Sequence, residues 1–85
     1  MPTIASFLGV SIKLYPNDHQ PPHFHAFHGD DEAMIALVPV AVLAGRLTPA
    51  RLKDVLAWAQ RHQQDLLDRW QRCQSRQPVP RIAYP

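Results

Sequence analysis

One dipeptide, Thr48-Pro49, constrains this chain more than any other feature. Threonine is a favoured N-cap because its hydroxyl oxygen accepts an orphan amide bond of the first helical turn. Proline has no amide to orphan and is favoured at the next position. Leu52, Val55, Leu56, Ala59, His62, Gln63, Leu66, Leu67 and Trp70 follow. At about 100° per residue they fall within an arc of about 140°. The spacing predicts one long amphipathic helix ending near Gln74, with Trp58 flanking the stripe.

The residues ahead of the helix must supply the layer that covers this stripe. Val10, Ile12 and Leu14 alternate with Gly9, Ser11 and Lys13, the period of a strand with one buried face. Pro16-Asn17-Asp18 ends that strand. Pro21-Pro22 bars a new one before His23, because proline lacks the ladder donor, so 15–22 is a loop. His23 to His28 reads as the next strand, and Gly29-Asp30-Asp31 is turn chemistry joining it to an apolar strand over 33–38. Pro39 interrupts, and Val40 to Leu43 pairs back as a short edge strand ending near Gly45. The expected architecture is α+β in two layers: an antiparallel three- to four-stranded meander with one long amphipathic helix packed on one face. Residues 1–75 form a single domain in this reading. Residues 76–85 form a Pro-rich C-terminal arm or tail, whose Arg81-Ile82-Ala83-Tyr84 can dock beside an edge strand.

Composition narrows the function classes. The chain has 85 residues, enough for one domain with a thin core, since folding at this size hides about 60–65% of the unfolded surface. A large internal cofactor cavity is excluded unless chains associate. Apolar residues at 46% and charged residues at 19% read as globular, and no apolar run approaches the ~20 residues of a membrane span. The start, Met1-Pro2-Thr3-Ile4, lacks the basic-then-apolar pattern of a signal peptide. A lone cysteine, Cys73, excludes an intramolecular disulfide and a Cys-pair zinc site. A cytoplasmic protein with no membrane association is expected.

Charge is uneven. Residues 1–45 carry −3 and residues 46–85 carry +5. The basic half is a candidate nucleic-acid surface, but Arg61/Asp65, Asp65/Arg69 and Asp68/Arg72 are spaced as i,i+4 pairs on a solvated helix face. Cys73 falls on the polar side of the helix near Arg69, Arg72 and Arg76, charges that favour thiolate. With no base beside it, it reads as a plain surface cysteine. Pro2, once exposed as an N-terminus, is a base in tautomerase-like chemistry, and its common occurrence at this position argues against reading it so.

Chemistry concentrates in Asp18 to His28, which holds four of the five histidines: His19, His23, His25 and His28. In a strand His23 and His25 point to one side, with Cα atoms about 6.5 Å apart. Phe24 and Ala26 point to the other, under the helix, and His28 goes with them. Three readings compete. Asp18, His19, His23 and His25 are a ligand set for a divalent transition metal such as zinc. His23 and His25 are also an acid–base pair for a metal-independent ribonuclease, with Lys13, Arg46 or Arg51 supplying charge for the phosphate. The third reading has the imidazoles merely hydrogen-bonded to Asp18 and nearby main chain. His62 borders the helix's apolar stripe and reads first as a satisfied core histidine. As a catalytic candidate it ranks below the others, because the helix covers the opposite sheet face.

The N-terminal Met1-Pro2-Thr3-Ile4, then Asn17-Asp18-His19, the run Pro21-Pro22-His23-Phe24-His25-Ala26, Leu56-Ala57-Trp58, His62 and Leu66-Leu67-Asp68-Arg69-Trp70 together resemble a small bacterial family, domain of unknown function 4160. The resemblance covers roughly residues 1–75. It implies a short stand-alone cytoplasmic protein whose gene neighbours that of a second small protein, as in toxin–antitoxin pairs, and it brings no reaction with it. One stretch departs from the family: Leu37-Val38-Pro39-Val40-Ala41-Val42-Leu43 is apolar where a polar turn is usual. Val40, Val42 and Leu43 are therefore a candidate surface for a homo-oligomer or protein partner. The leading expectation is a regulatory or toxin–antitoxin-like module acting through a partner protein or nucleic acid, with the histidine segment as its active or recognition surface. A metal-binding protein or metal-dependent hydrolase, and a small ribonuclease, are the alternatives.

Overall fold

A computed structural model describes residues 3–85. Met1 and Pro2, and with them the terminal-proline reading, lie outside the described residues. The elements are β1 (Thr3–Phe7), β2 (Val10–Lys13), β3 (His23–His28), β4 (Asp31–Leu37), β5 (Val40–Gly45), α1 (Pro49–Arg61) and α2 (Gln63–Gln74). The strands form one antiparallel sheet in the order β1-β2-β3-β4-β5, with the helices on one face. The α+β class follows as expected. The sheet has five strands rather than three or four, and the single long helix is two.

The unexpected strand is β1. A bulge between Thr3 and Ala5 puts Ile4 and Ala5 both in the core, so its side chains do not alternate. A bulge cancels the period-two signal on which strand reading rests. β1 turns into β2 through Leu8 (φ 50°) and Gly9 (φ 77°), the doubly left-handed two-residue loop that suits the twist of a hairpin. At the other edge β5 closes onto β4 through Gly45 (φ 72°). A Cβ there would collide with the Glu32 carbonyl, which accepts the Arg46 amide at 2.9 Å.

The helix separates at His62, whose φ of −112° and ψ of 21° leave the helical well. The main-chain ladder nevertheless crosses it: the His62 amide donates to Trp58 at 3.1 Å and the Leu66 amide to His62 at 2.8 Å. Side chains pin this junction from two directions. Gln63 Nε2 donates to the Leu37 carbonyl at 2.6 Å, and His62 Nε2 bonds the Pro85 main-chain oxygen at 3.0 Å.

The buried helical residues are Val55, Trp58, Ala59, Leu66, Trp70 and Cys73. On a 100° wheel their arc is displaced by about 50° from the expected one. Leu56 and Leu67 drew the expected stripe toward themselves and are only half-buried. Two expectations are corrected. Trp58 does not flank the core; it is wholly buried, edge-on to Phe24 at 6.0 Å and tilted against Phe7 at 5.0 Å. Cys73 is not a surface thiol but a core residue, and burial, with the Asp18 charge next, pushes its pKa up. Of the three expected helical ion pairs, Asp68–Arg72 forms at 2.9 Å. Arg69 instead pairs with Asp68 at 2.8 Å, and its Nε donates to the Pro80 carbonyl.

The arm docks beside β1. The Ile82 amide donates to the Ile4 carbonyl at 2.7 Å, Arg81 bonds the Thr3 carbonyl, and Tyr84 stacks on Phe7 at 4.5 Å. No helix among the described residues is long and apolar enough to cross a membrane.

Candidate metal centre

The site forms where the 15–22 loop closes over the start of β3. His23 and His25 project from the sheet face opposite Phe24 and Ala26, as strand alternation requires. Pairing sets His25 across from Lys13 on β2 and Met34 on β4. The loop returns Asp18 over both rings. Asp18 Oδ2 is 3.1 Å from His23 Nε2 and 2.9 Å from His25 Nε2. One ligand atom from each of the three residues lies within 4.8 Å of the others.

The other ring nitrogens are already engaged. His23 Nδ1 lies 2.8 Å from the Pro21 carbonyl, and His25 Nδ1 lies 3.1 Å from Glu32 Oε2. A carbonyl only accepts, so His23 Nδ1 carries the hydrogen. His25 Nε2 also hydrogen-bonds Asp18 Oδ2, at 2.9 Å, so His25 is bonded through both ring nitrogens. His23 differs: with the hydrogen on Nδ1, its Nε2 turns a lone pair toward a carboxylate that is itself an acceptor. His23 Nε2 is buried and makes no hydrogen bond. The approach of Asp18 at 3.1 Å is a close contact of two acceptors rather than a bond. The side chains of His23, His25 and Asp18 are 0%, 12% and 19% exposed, so water is largely kept from this arrangement.

Sequence reasoning overlooked the surroundings. Glu32 orients His25, Tyr15 meets the His25 ring edge-on at 4.7 Å, and Trp70 lies over His23 at 5.2 Å. Glu32 was within reach of pattern reading, because the hairpin pairs it with Phe27 and so places it on the His25 face. Burial, followed by the charges of Glu32 and then Asp18, raises the Tyr15 pKa. The expectation that the helix stays on the far side from the histidine pair fails at Trp70 of α2, whose ring packs against that of His23.

The remaining candidates fall outside the convergence. His19 is exposed, with Nδ1 on the Gln20 carbonyl at 3.0 Å and its ring 5.5 Å from that of His23. His62 faces the arm through Pro85 and sits 3.6 Å from Asp65. Lys13 lies over the Phe27 ring at 5.2 Å, and Arg51 bonds the Leu8 carbonyl and pairs with Asp54. Val42 and Leu43 are exposed on β5, while Val40 packs partly against the core.

No curated protein and no solved structure matches the chain. The family model described as Domain of unknown function (DUF4160) matches residues 9–71, which takes in the loop, both site histidines, β2 to β5, α1 and most of α2. With about three quarters of its length matched, the chain belongs to the DUF4160 family.

Proposed function

We propose that this protein binds a divalent transition metal between Asp18, His23 and His25. The observation that carries this reading is the buried, unbonded Nε2 of His23, which shares one carboxylate oxygen with the Nε2 of His25. A buried His23 lone pair set against a carboxylate is unfavourable alone, and a cation would satisfy it while taking the place of the hydrogen between His25 and Asp18. Bonds of about 2.0–2.1 Å to a tetrahedral ion place ligands about 3.3 Å apart, close to the two spacings here. Nδ1–H bonds to a carbonyl and a carboxylate are the usual way a protein presents Nε2 to a metal. Two imidazoles and one carboxylate suit zinc and its neighbours rather than calcium or magnesium.

Three protein ligands leave a coordination position open, the pattern of catalytic rather than structural zinc sites. A hydrolytic role through metal-bound water is therefore part of the proposal. His19 is left out of the ligand set because only Asp18, His23 and His25 offer ligand atoms within 4.8 Å of one another among the described residues. The acid–base ribonuclease reading has less support, because a wholly buried His23 does not touch a phosphodiester.

The test is metal content and zinc or cobalt titration of untagged protein purified without chelator or nickel resin. One ion per chain, lost in His23→Ala, is expected. A folded wild type that takes up no ion at micromolar concentration overturns the reading.

A second reading rests on a different observation. Val38, Val42 and Leu43 are 62%, 41% and 45% exposed at or near the uncharged edge strand β5. This supports the regulatory, toxin–antitoxin-like proposal, in which β5 meets a second copy or the protein of a neighbouring gene. The charge of residues 46–85 adds nucleic acid as a proposed partner. Val42→Lys is expected to abolish self-association or partner capture without unfolding the chain. A wild type that stays monomeric across a wide concentration range and captures no partner sinks this reading.

A further inference from the structure

We propose that the channel between β1 and the helices is a recognition groove for an extended peptide, filled in this structure by the chain's own residues 80–85. The inference is independent of the metal site. It rests on how the arm is held.

The arm is bound as a ligand rather than packed as core. Of residues 76–85 only Ile82 is buried and Val79 half-buried; the rest are exposed. The protein grips its main chain step by step. Arg69 Nε donates to the Pro80 carbonyl at 3.0 Å, and Ile4 accepts the Ile82 amide at 2.7 Å. Trp58 Nε1 donates to the Ala83 carbonyl at 3.4 Å, and His62 Nε2 bonds the Pro85 oxygen at 3.0 Å. These contacts are indifferent to the arm's side chains, as in peptide-binding domains that add a strand to a sheet edge. Side-chain selection comes from two places. A slot takes Ile82, and one face of the Phe7 ring takes the Tyr84 ring.

The groove therefore suits an extended segment with a branched apolar residue followed, two positions on, by an aromatic one. Proline on either side, as at Pro80 and Pro85, lowers the entropy lost on binding. Three of the clamps, Trp58, His62 and Arg69, lie within the family-matched residues 9–71, whereas the arm lies beyond them. The helical wall of the groove thus belongs to the family-matched part of the chain, while the β1 wall and the arm lie outside it. A tethered arm acts at an effective concentration on the order of millimolar, so it masks the groove from weaker peptides in trans.

The test uses the full chain. Ile82→Asp places a charge in the apolar slot and releases the arm. A fluorescein-labelled peptide of residues 78–85 is titrated by anisotropy into this variant and into the wild type. At least tenfold tighter binding to the variant is expected, with no binding of a labelled peptide carrying the same Ile-to-Asp change. A variant that is folded by circular dichroism yet binds nothing at 1 mM peptide overturns the proposal. Should the variant not fold, ¹⁵N-labelled wild type is mixed with millimolar unlabelled peptide. Movement of the Ala83 and Tyr84 amides toward free-chain positions supports the groove, and unmoved resonances overturn it. A wild-type dimer split by the peptide also supports it and names a second copy as the occupant.

Discussion

The indole of Trp70 lies 5.2 Å from the imidazole of His23, centroid to centroid, and this contact closes the histidine off from water. Trp70 is itself 3% exposed and His23 0%, so both rings are buried where they meet. The buried side gives His23 a fixed tautomer and a low-dielectric setting, while His25 and Asp18 keep a partial opening to solvent. As the proposed ligand set, these side chains are held in place before any ion arrives.

Asp18→Asn tests the lone-pair argument directly. The amide nitrogen donates where the carboxylate only accepts, so His23 Nε2 gains the bond it lacks. In EDTA the variant is expected to be more stable than wild type by about 1 kcal/mol, the net value of one hydrogen bond. Its zinc affinity should fall at least 100-fold. Urea unfolding reads the first effect. Lower stability would mean that Asp18 pairs with a protonated ring and that no cation is needed.

Glu32→Gln probes the residue behind His25. Glu32 accepts from His25 Nδ1 at 3.1 Å and is half exposed, so the fold does not depend on it. Weaker orientation and lower ring basicity are expected to cost about 10–100-fold in metal affinity by calorimetric titration. An unchanged affinity would remove Glu32 from the site.

Leu8 carries a left-handed φ of 50° with its side chain about half exposed. A γ-branched residue is disfavoured in this conformation, and Asn-Gly is the favoured pair for such a hairpin loop. Leu8→Asn is expected to raise unfolding free energy by about 1 kcal/mol. The Arg51 bond to the Leu8 carbonyl survives the change, because it involves only main chain on that side. A loss of stability would show that the leucine side chain contributes more than its strain costs.

Cys73 provides the pH dependence. Burial, then Asp18, raises its pKa from the ordinary 9.0. The folded state therefore holds the thiol's proton more tightly than the unfolded chain does. The resulting stability is present in full below about pH 9 and is lost as pH rises through the folded value. The urea midpoint should drop between pH 8 and pH 10.5, by more than in Cys73→Ala. At pH 8 the folded protein should react with a thiol-specific disulfide reagent no faster than it unfolds. Prompt labelling would contradict the burial.

Much of the fold was legible because it rests on short-range rules. Thr48-Pro49 marked the start of α1, with the proline at the first position as expected but no cap bond from the Thr48 side chain. Pro21-Pro22 marked the start of β3, and alternation put His23 and His25 together. What escaped has identifiable causes. The bulge hid β1, and the break at His62 is stabilised by long-range partners, Leu37 and Pro85. The burial of Trp58 and Cys73 followed from stripe phase, which Leu56 and Leu67 biased. Asp18, His23 and His25 were identified as residues, but their order of engagement was not. Which nitrogen is occupied depends on the Pro21 carbonyl and on Glu32 across the hairpin, and no spacing rule reports that.

The two margins of the sheet are unlike, and the difference gives the molecule a polarity of growth. Along β1 the arm consumes the carbonyls of Thr3 and Ile4, while β5 offers its outer side without a charge or a proline. In the self-association proposed above, extension of the sheet would begin at β5, and two copies joined there in antiparallel fashion would present only arm-covered ends. Such an assembly terminates at two. A chain with its arm lifted has adhesive margins on both sides and nothing to stop addition. On that proposal Ile82, the one buried side chain of the arm, is what would keep the assembly finite.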